Sequence, residues 1–251
     1  MLTFLFKSSK INSAIKIIVI LGFLVLIHET GHFLVARLFH VKVNEFSIGF
    51  GPKIWKKETP ATCYSIRAVP LGGFVNMEGE AEPSAQEGSF SRLSVPKRFA
   101  IVTAGAIVNI LFGLLLSLVI FWIASGDFSV AMATIGELIT TTVEGLRDLV
   151  VSAPNAAEQL VGPVGISGII SSTQGILDFL YVMAVISISL GVTNLLPIPA
   201  LDGGKLVLLL LEAIRKKPLK EKTELTIQAV GMIFLLGLAA YVTFNDVTKL
   251  F

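Results

Sequence analysis

Long apolar runs dominate this 251-residue chain, where a soluble fold would show alternating or striped patterns. Four of them stand out: Ile11 to Ala36, Phe99 to Ala124, Leu177 to Leu196 and Leu225 to Phe244. A bilayer core asks for about 20 residues of helix, and each run meets that length. A lone spanning segment must satisfy its own backbone hydrogen bonds, which predicts a helix for each. Between the first and second runs the pattern changes. Tyr64 to Leu71 and Phe74 to Met77 are rich in β-branched and aromatic residues and are broken by Gly72-Gly73, which predicts short strands within a β-rich loop of about residues 43–80. Within the connection at 125–176, "IGELITTTVEGLRDLVV" (135–151) places apolar residues at helical spacing and predicts an interfacial helix. The expected fold is therefore an all-α polytopic membrane protein with four transmembrane helices. A small membrane-associated β element lies between the first and second, and residues 1–251 form a single domain.

Composition strengthens this picture. Hydrophobic residues make up 53% and charged residues 15%, against roughly 25% charged in ordinary soluble domains, and the mean hydropathy is +0.80. The net charge of +2 matters less than where the charges fall. Between Val41 and Arg98 lie eight basic residues, Lys42, Lys53, Lys56, Lys57, Arg67, Arg92, Lys97 and Arg98. Between the third and fourth spans lie Lys205, Arg215, Lys216, Lys217, Lys220 and Lys222. The connection between the second and third carries Arg147 alone, against Asp127, Glu137, Glu144, Asp148 and Glu158. The positive-inside rule thus places the first and third connections in the cytoplasm and both termini outside. Lys7, Lys10 and Lys16 run against that orientation, but the other connections agree with it. Lys7 and Lys10 ahead of an apolar run also resemble a secretory leader, yet no small-residue cleavage site follows, so retention is expected. One cysteine, Cys63, leaves no intramolecular disulfide and reads as a small apolar filler. No basic patch interleaved with aromatics marks a nucleic-acid partner.

Against this apolar background, "GFLVLIHETGHFLVAR" (22–37) is anomalous, because ionisable groups are costly in hydrocarbon. His28-Glu29-Thr30-Gly31-His32 fits H-E-x-x-H, a pattern tied to zinc hydrolysis when helical. Residues four apart share a helix face, with Cβ atoms roughly 5–6 Å apart. Two imidazoles so placed both reach a zinc ion at about 2.0–2.1 Å. Glu29 then stands beside the metal as a base. The bland alternative is a pair of hydrogen-bonded buried histidines. His40, the third histidine, falls near the end of the span and reads as an interface residue.

Catalytic zinc usually takes three protein ligands, and intramembrane acids are scarce. Asp202, in "TNLLPIPALDGG" (193–204), is the one carboxylate near the cytoplasmic end of the third span. At 1.5 Å per residue, His28 lies about 16 Å beyond Ile17, past the membrane midplane, and the third span reaches that depth near Asn194 to Asp202. Pro197 and Pro199 break the helical ladder there, and broken helices at membrane depth normally line a polar cavity. A helix cap at Asp202 and an ordinary proline kink are the competing readings.

HETGH in the first span and NLLPIPALDGG closing the third resemble the site-2 protease family of intramembrane zinc metalloproteases, closest to the bacterial enzymes that cleave anti-sigma factors. "EFSIGFGPKIW" (45–55), "PLGGFVNM" (70–77), "GPVGI" (162–166), "LLEAIRKKPL" (210–219) and "VTFNDV" (242–247) are similar too. The resemblance implies a bacterial cytoplasmic-membrane protein with His28, His32 and Asp202 on Zn2+ and Glu29 as catalytic base. It also implies substrate contacts at Asn194 and Pro197 and at the β element around Gly72 and Gly73, whose exposed edge would hold a peptide extended. The implied substrates are single-span membrane proteins. Sigma-E-type members carry PDZ domains between the second and third spans, whereas the connection here is too short for one. A catalytically inactive scaffold and a metal transporter are the competing functions; a transporter would be expected to spread ligands along a path through repeated halves.

Overall fold

A computed structural model describes residues 10–151, 162–173 and 175–248; Lys7 and Glu158 of the charge pattern lie outside the described residues. The elements are α1 (Lys10–Leu38), β1 (Val43–Glu58), β2 (Cys63–Met77), α2 (Val95–Ser125), α3 (Phe128–Val151), α4 (Pro163–Ser172), α5 (Ile176–Asn194), α6 (Asp202–Arg215) and α7 (Glu221–Thr248). A 3-10 turn, Phe90–Arg92, precedes α2.

Among the described residues, four helices are long and apolar enough to cross a membrane: Ile15–Leu38, Val95–Ser125, Ile176–Asn194 and Glu221–Thr248. These are the four expected spans, with shifted ends. The first, second and fourth overrun their apolar runs into polar flanks, because a helix does not stop where hydrophobicity does. The third stops at Asn194, two residues short of its expected end. The residue before a proline is steered out of the helical region, so Leu195 and Leu196 close the helix with tighter bonds to Val192 and Thr193, both 3.1 Å. Large apolar side chains along the spans face outward, such as Leu115 (61% exposed), Ile233 (70%) and Phe244 (69%). That arrangement suits hydrocarbon surroundings and would be costly in water.

The β element lies where it was expected, between the first and second spans and within residues 43–80, but its strands differ from those predicted. β1 has no counterpart among the predicted strands, and the two short predicted strands are one continuous strand, β2. Together they form a two-stranded antiparallel sheet. Both strands bend, so that β1 pairs twice. Val43, Phe46 and Ile48 face Met77, Val75 and Gly73, while Lys53, Lys56 and Glu58 face Arg67, Ser65 and Cys63. Glycines at positive φ make the bends, Gly49 at 86° and Gly72 at 117°, a region that costs a side-chain-bearing residue dearly. At Gly72 there is also no room, since a Cβ would stand 2.2 Å from the Phe50 ring. The expected helix at 135–151 exists and starts earlier, at Phe128.

The contacts fall into two units. One comprises the described residues within 10–17, 112–188 and 233–248. Within it, Gly113 lets α2 and α5 approach so closely that a Cβ would meet the Ala184 carbonyl at 2.6 Å, the small-residue packing of membrane helices. The Asp246 carboxylate accepts a 2.8 Å hydrogen bond from the Gly165 N–H, at the start of α4. Lys16, grouped above with the flanking charges, is buried, and its ammonium approaches the Thr173 hydroxyl at 3.4 Å.

The other unit comprises residues 18–111 and 189–232. Its core joins the sheet to the helices through Val41, Val43, Val75, Ile101, Leu206 and Leu209. Two ion pairs hold its polar side: Arg98 grips Glu212 with both guanidinium nitrogens, and Lys205 meets Glu80 at 2.7 Å.

Candidate metal centre

His28 and His32 occupy successive turns of α1 and are both buried. Their rings meet edge to face, with centroids 4.7 Å apart, and their Nε2 atoms lie 3.1 Å from one another. Asp202 opens α6 and directs Oδ2 to within 3.1 Å of His28 Nε2 and 3.3 Å of His32 Nε2. One ligand-capable atom from each of the three residues falls within 4.8 Å of the others. Thus two residues four apart and a third 170 positions later converge at one point.

Close backbone packing brings the walls of this point together. Gly31 on α1 faces α2 so tightly that a Cβ would stand 2.6 Å from the Ala104 carbonyl. At Gly105, a Cβ would stand 2.4 Å from His32 Nε2 and 2.8 Å from His28 Nε2. The second span therefore passes directly over the two imidazoles, and only glycine fits there. On the far side, Gly203 and Gly204 let the first turn of α6 fold onto the carbonyls of Leu195, Leu196 and Ile198.

The hydrogen bonds decide what the cluster can hold. His32 Nδ1 lies 2.8 Å from the Ile101 carbonyl oxygen. A carbonyl only accepts, so Nδ1 carries the proton and, in the neutral ring, Nε2 offers a lone pair. Asn109, fully buried on α2, places its amide nitrogen Nδ2 3.4 Å from His28 Nδ1; with the amide turned over, its oxygen accepts from the Nδ1 proton instead and leaves the His28 Nε2 lone pair free. In that orientation two imidazole lone pairs and a carboxylate oxygen point at one another, which is unfavourable without a cation between them. Nitrogen, nitrogen and oxygen donors suit zinc, whose catalytic sites take three protein ligands and keep one position open. The donor set fits the metal.

Of the remaining expected site residues, Glu29 sits between the two histidines in sequence and is half-buried. His32, His28, Asp202 and Glu80 are the ionisable groups near enough to act on its carboxylate. Gly73 of β2 comes close to it, since a Cβ on Gly73 would lie 3.4 Å from Glu29 Cγ. Gly72 instead makes its close approach to Phe50. Asn194 ends α5, and Pro197 lies in the turn between α5 and α6. His40 follows α1 in a left-handed turn at φ 60° and is exposed.

Several residues at this site were not anticipated from the sequence: Asn109, Gly105, the Ile101 carbonyl, Glu80 and Lys205. Asn109 left a signal, as the one amide in an otherwise uncharged span, and polar groups at such depth normally face the protein interior. The Ile101 carbonyl left none, because every residue has one.

Comparison with known proteins bears on this geometry. A family model described as Peptidase family M50 matches residues 16–238. Three relatives, each bearing the name "Putative zinc metalloprotease", align along most of their lengths. The Fusobacterium nucleatum protein is 28% identical, over 93% of this chain and 98% of its own. The Nostoc protein is 26% identical, over 95% and 96%, and the Clostridium acetobutylicum protein is 28% identical, over 90% and 94%. The first of these alignments runs over 333 positions, more than the 251 residues here, so that relative carries residues with no counterpart in this chain.

Proposed function

The chain belongs to peptidase family M50, the site-2 proteases, a zinc-dependent membrane metalloprotease family, and from that premise we propose that it is an intramembrane endopeptidase cutting single-span membrane proteins. In this reading His28, His32 and Asp202 hold the zinc, and Glu29 is the catalytic base. The observation that carries it is the convergence of three electron-rich atoms, with the His32 Nδ1 proton already committed to the Ile101 carbonyl. Zinc, when bound, supplies Lewis-acid polarisation and lowers the pKa of a coordinated water to about 7.

The chain's own residues do the rest. Glu29 takes a proton from the attacking water and passes it to the departing amine. Ile101 and Asn109 orient the imidazoles so that their Nε2 atoms stay on the metal side. A helical substrate hides its carbonyls in its own ladder, so it must be opened before attack. The edge of β2 near Gly73 pairs with the opened backbone by strand addition, and it does so beside Glu29. Asn194 and the Pro197 turn contribute polar contacts to the same extended backbone. The charge pattern of the connections supports a reading with both termini outside and the site toward the cytoplasm.

The test is cleavage of a model single-span substrate by the detergent-purified protein, with and without a zinc chelator, alongside metal analysis. Zinc at one equivalent, chelator-sensitive cleavage, and a Glu29→Gln variant that keeps zinc and loses cleavage are the expected results. Metal-free protein, or cleavage that survives chelation, would sink the proposal. Zinc retained without cleavage of any substrate would favour the scaffold reading. A proton shared within the His–Asp cluster would also satisfy its charges, and zinc content separates that case directly.

A further inference from the structure

The turn from Leu195 to Leu201 delivers the chain from α5 to Asp202, and something outside the turn holds its shape. Ala200 adopts φ 75°, the left-handed region that disfavours any residue with a Cβ. Such a conformation persists only where the surroundings impose it. Here the imposing group is 28 residues further on. The Ala200 N–H donates a 2.6 Å hydrogen bond to Oε1 of Gln228 on α7. A backbone donor fixes which end of the amide is oxygen. One turn along the same helix, Gly231 lies against Pro199, where a Cβ would meet the Pro199 carbonyl oxygen at 2.4 Å. The fourth membrane helix thus grips two consecutive residues of the turn.

Asp202 comes two residues after Ala200, and there is no slack between them and the metal centre. Leu201 N–H bonds back to the Ile198 carbonyl at 3.1 Å. Gly203 and Gly204 sit on the backbone of Leu195, Leu196 and Ile198, with room for no Cβ. A rotation at Ala200 must therefore move the Asp202 carboxylate, and metal–ligand distances tolerate only about 0.2 Å. Gln228 spends only half its amide on this task. Its Nε2 is buried and has no hydrogen-bond partner among the described residues, so the oxygen carries the interaction.

We propose that Gln228 is a positioning residue for the Asp202 ligand, clamping the strained Ala200 turn from the fourth span. The proposal rests on the reading of Asp202 as a zinc ligand. It has a consequence for substrate handling, because Gln228 also lines a groove of about 330 Å³ together with Phe74 to Met77 of the β2 edge. A displacement of α7 at that groove reaches the metal through the clamp.

The experiment measures zinc affinity of the full-length, detergent-purified protein by competition with a chromophoric chelator. The cobalt(II) spectrum serves as a second readout of ligand geometry. Gln228→Met keeps the length of the side chain and removes the oxygen; it is expected to weaken zinc about 10–100-fold, the usual effect of losing an outer-shell partner. Gln228→Glu keeps an acceptor oxygen and is expected to stay within about threefold of wild type, with an unchanged cobalt spectrum. Glycine accepts φ 75° freely, so adding Ala200→Gly to Gln228→Met should restore most of the lost affinity; this double variant also keeps the test open should Gln228→Met fold poorly. Asp202→Asn, run in parallel, must lose zinc. If Asp202→Asn loses zinc but Gln228→Met binds as wild type, the clamp is refuted while the zinc site stands. If Asp202→Asn binds as wild type, the zinc site itself is refuted. Glutamate failing where methionine fails, or glycine failing to rescue, also overturns the clamp.

Discussion

Gly105→Ala adds one methyl group to an apolar span, a change that membrane helices usually accept. Here it should disable the metal centre. The new Cβ would lie 2.4 Å from His32 Nε2 and 2.8 Å from His28 Nε2, while ordinary contact begins at 3.4 Å. The His32 ring must then retreat by about 1 Å, some five times the tolerance of about 0.2 Å on a metal–ligand distance. It cannot retreat freely, because Ile101 holds its Nδ1 at 2.8 Å. Nor can the helices part without cost, because Gly31 is already seated on the Ala104 backbone. Overpacking of this kind costs about 1–3 kcal/mol in a well-packed interior, and zinc affinity should fall by at least about tenfold, as it does when a histidine's outer partner is lost. The assay is chelator competition on the purified variant, with thermal unfolding of the metal-stripped form beside it. Gly136→Ala is the control, since a Cβ there meets nothing within 4 Å. Wild-type zinc affinity in Gly105→Ala would show that the second span does not wall the site and would refute the geometry.

Two further perturbations separate the base and the sheet from the metal. Gly73→Val pushes a branched side chain toward the Ser47 carbonyl oxygen, 2.8 Å from the Cβ position, and toward Glu29; cleavage should drop at least about tenfold with zinc stoichiometry unchanged, and parallel loss of zinc would contradict that division of labour. Glu45 provides a pH signature for the sheet. Burial pushes its carboxyl up, but hydrogen bonds from Ser65, Arg67 and Lys53 outweigh this and bring it from 4.5 down to about 2. A carboxyl lowered on folding stabilises the fold above its ordinary value, and that contribution drains away as pH falls from 4.5 toward about 2. The gap in denaturation midpoint between wild type and Glu45→Gln should therefore be open at about pH 6 and narrow steadily below about pH 4.5; a gap of constant width would exclude this role for Glu45.

Hydrophobicity made the spanning helices legible, whereas α4 and α6 were not anticipated. Four apolar runs of spanning length leave no other secondary structure available in lipid, so their number and order followed directly, and only their ends moved. The sheet was harder to read. β1 alternates poorly and contains Gly49, Gly51 and Pro52, which look like loop chemistry, and its pairing depends on bends that no local period encodes. Within the site, the histidines and Asp202 could be found because polar residues are conspicuous against hydrocarbon. The depth argument could then pair them across 170 positions. What surrounds them was invisible for the opposite reason.

A glycine in an apolar span is an ordinary small residue until its neighbour proves to be an imidazole, and a carbonyl becomes a proton acceptor only once the rotation of α2 aims it at His32. Gln228 shows the same limit from the other direction. Its amide is polar and therefore visible, yet it lies near the polar end of the fourth span, where such a residue needs no explanation. Its partner is a backbone N–H whose strain at Ala200 no composition reveals. In the proposed reading, the chemistry thus rests on side chains that the bilayer makes stand out. The geometry that tunes it is carried by backbone contacts that the bilayer leaves unmarked, which is why the variants that best test the site are a methyl group at Gly105 and an oxygen at Gln228.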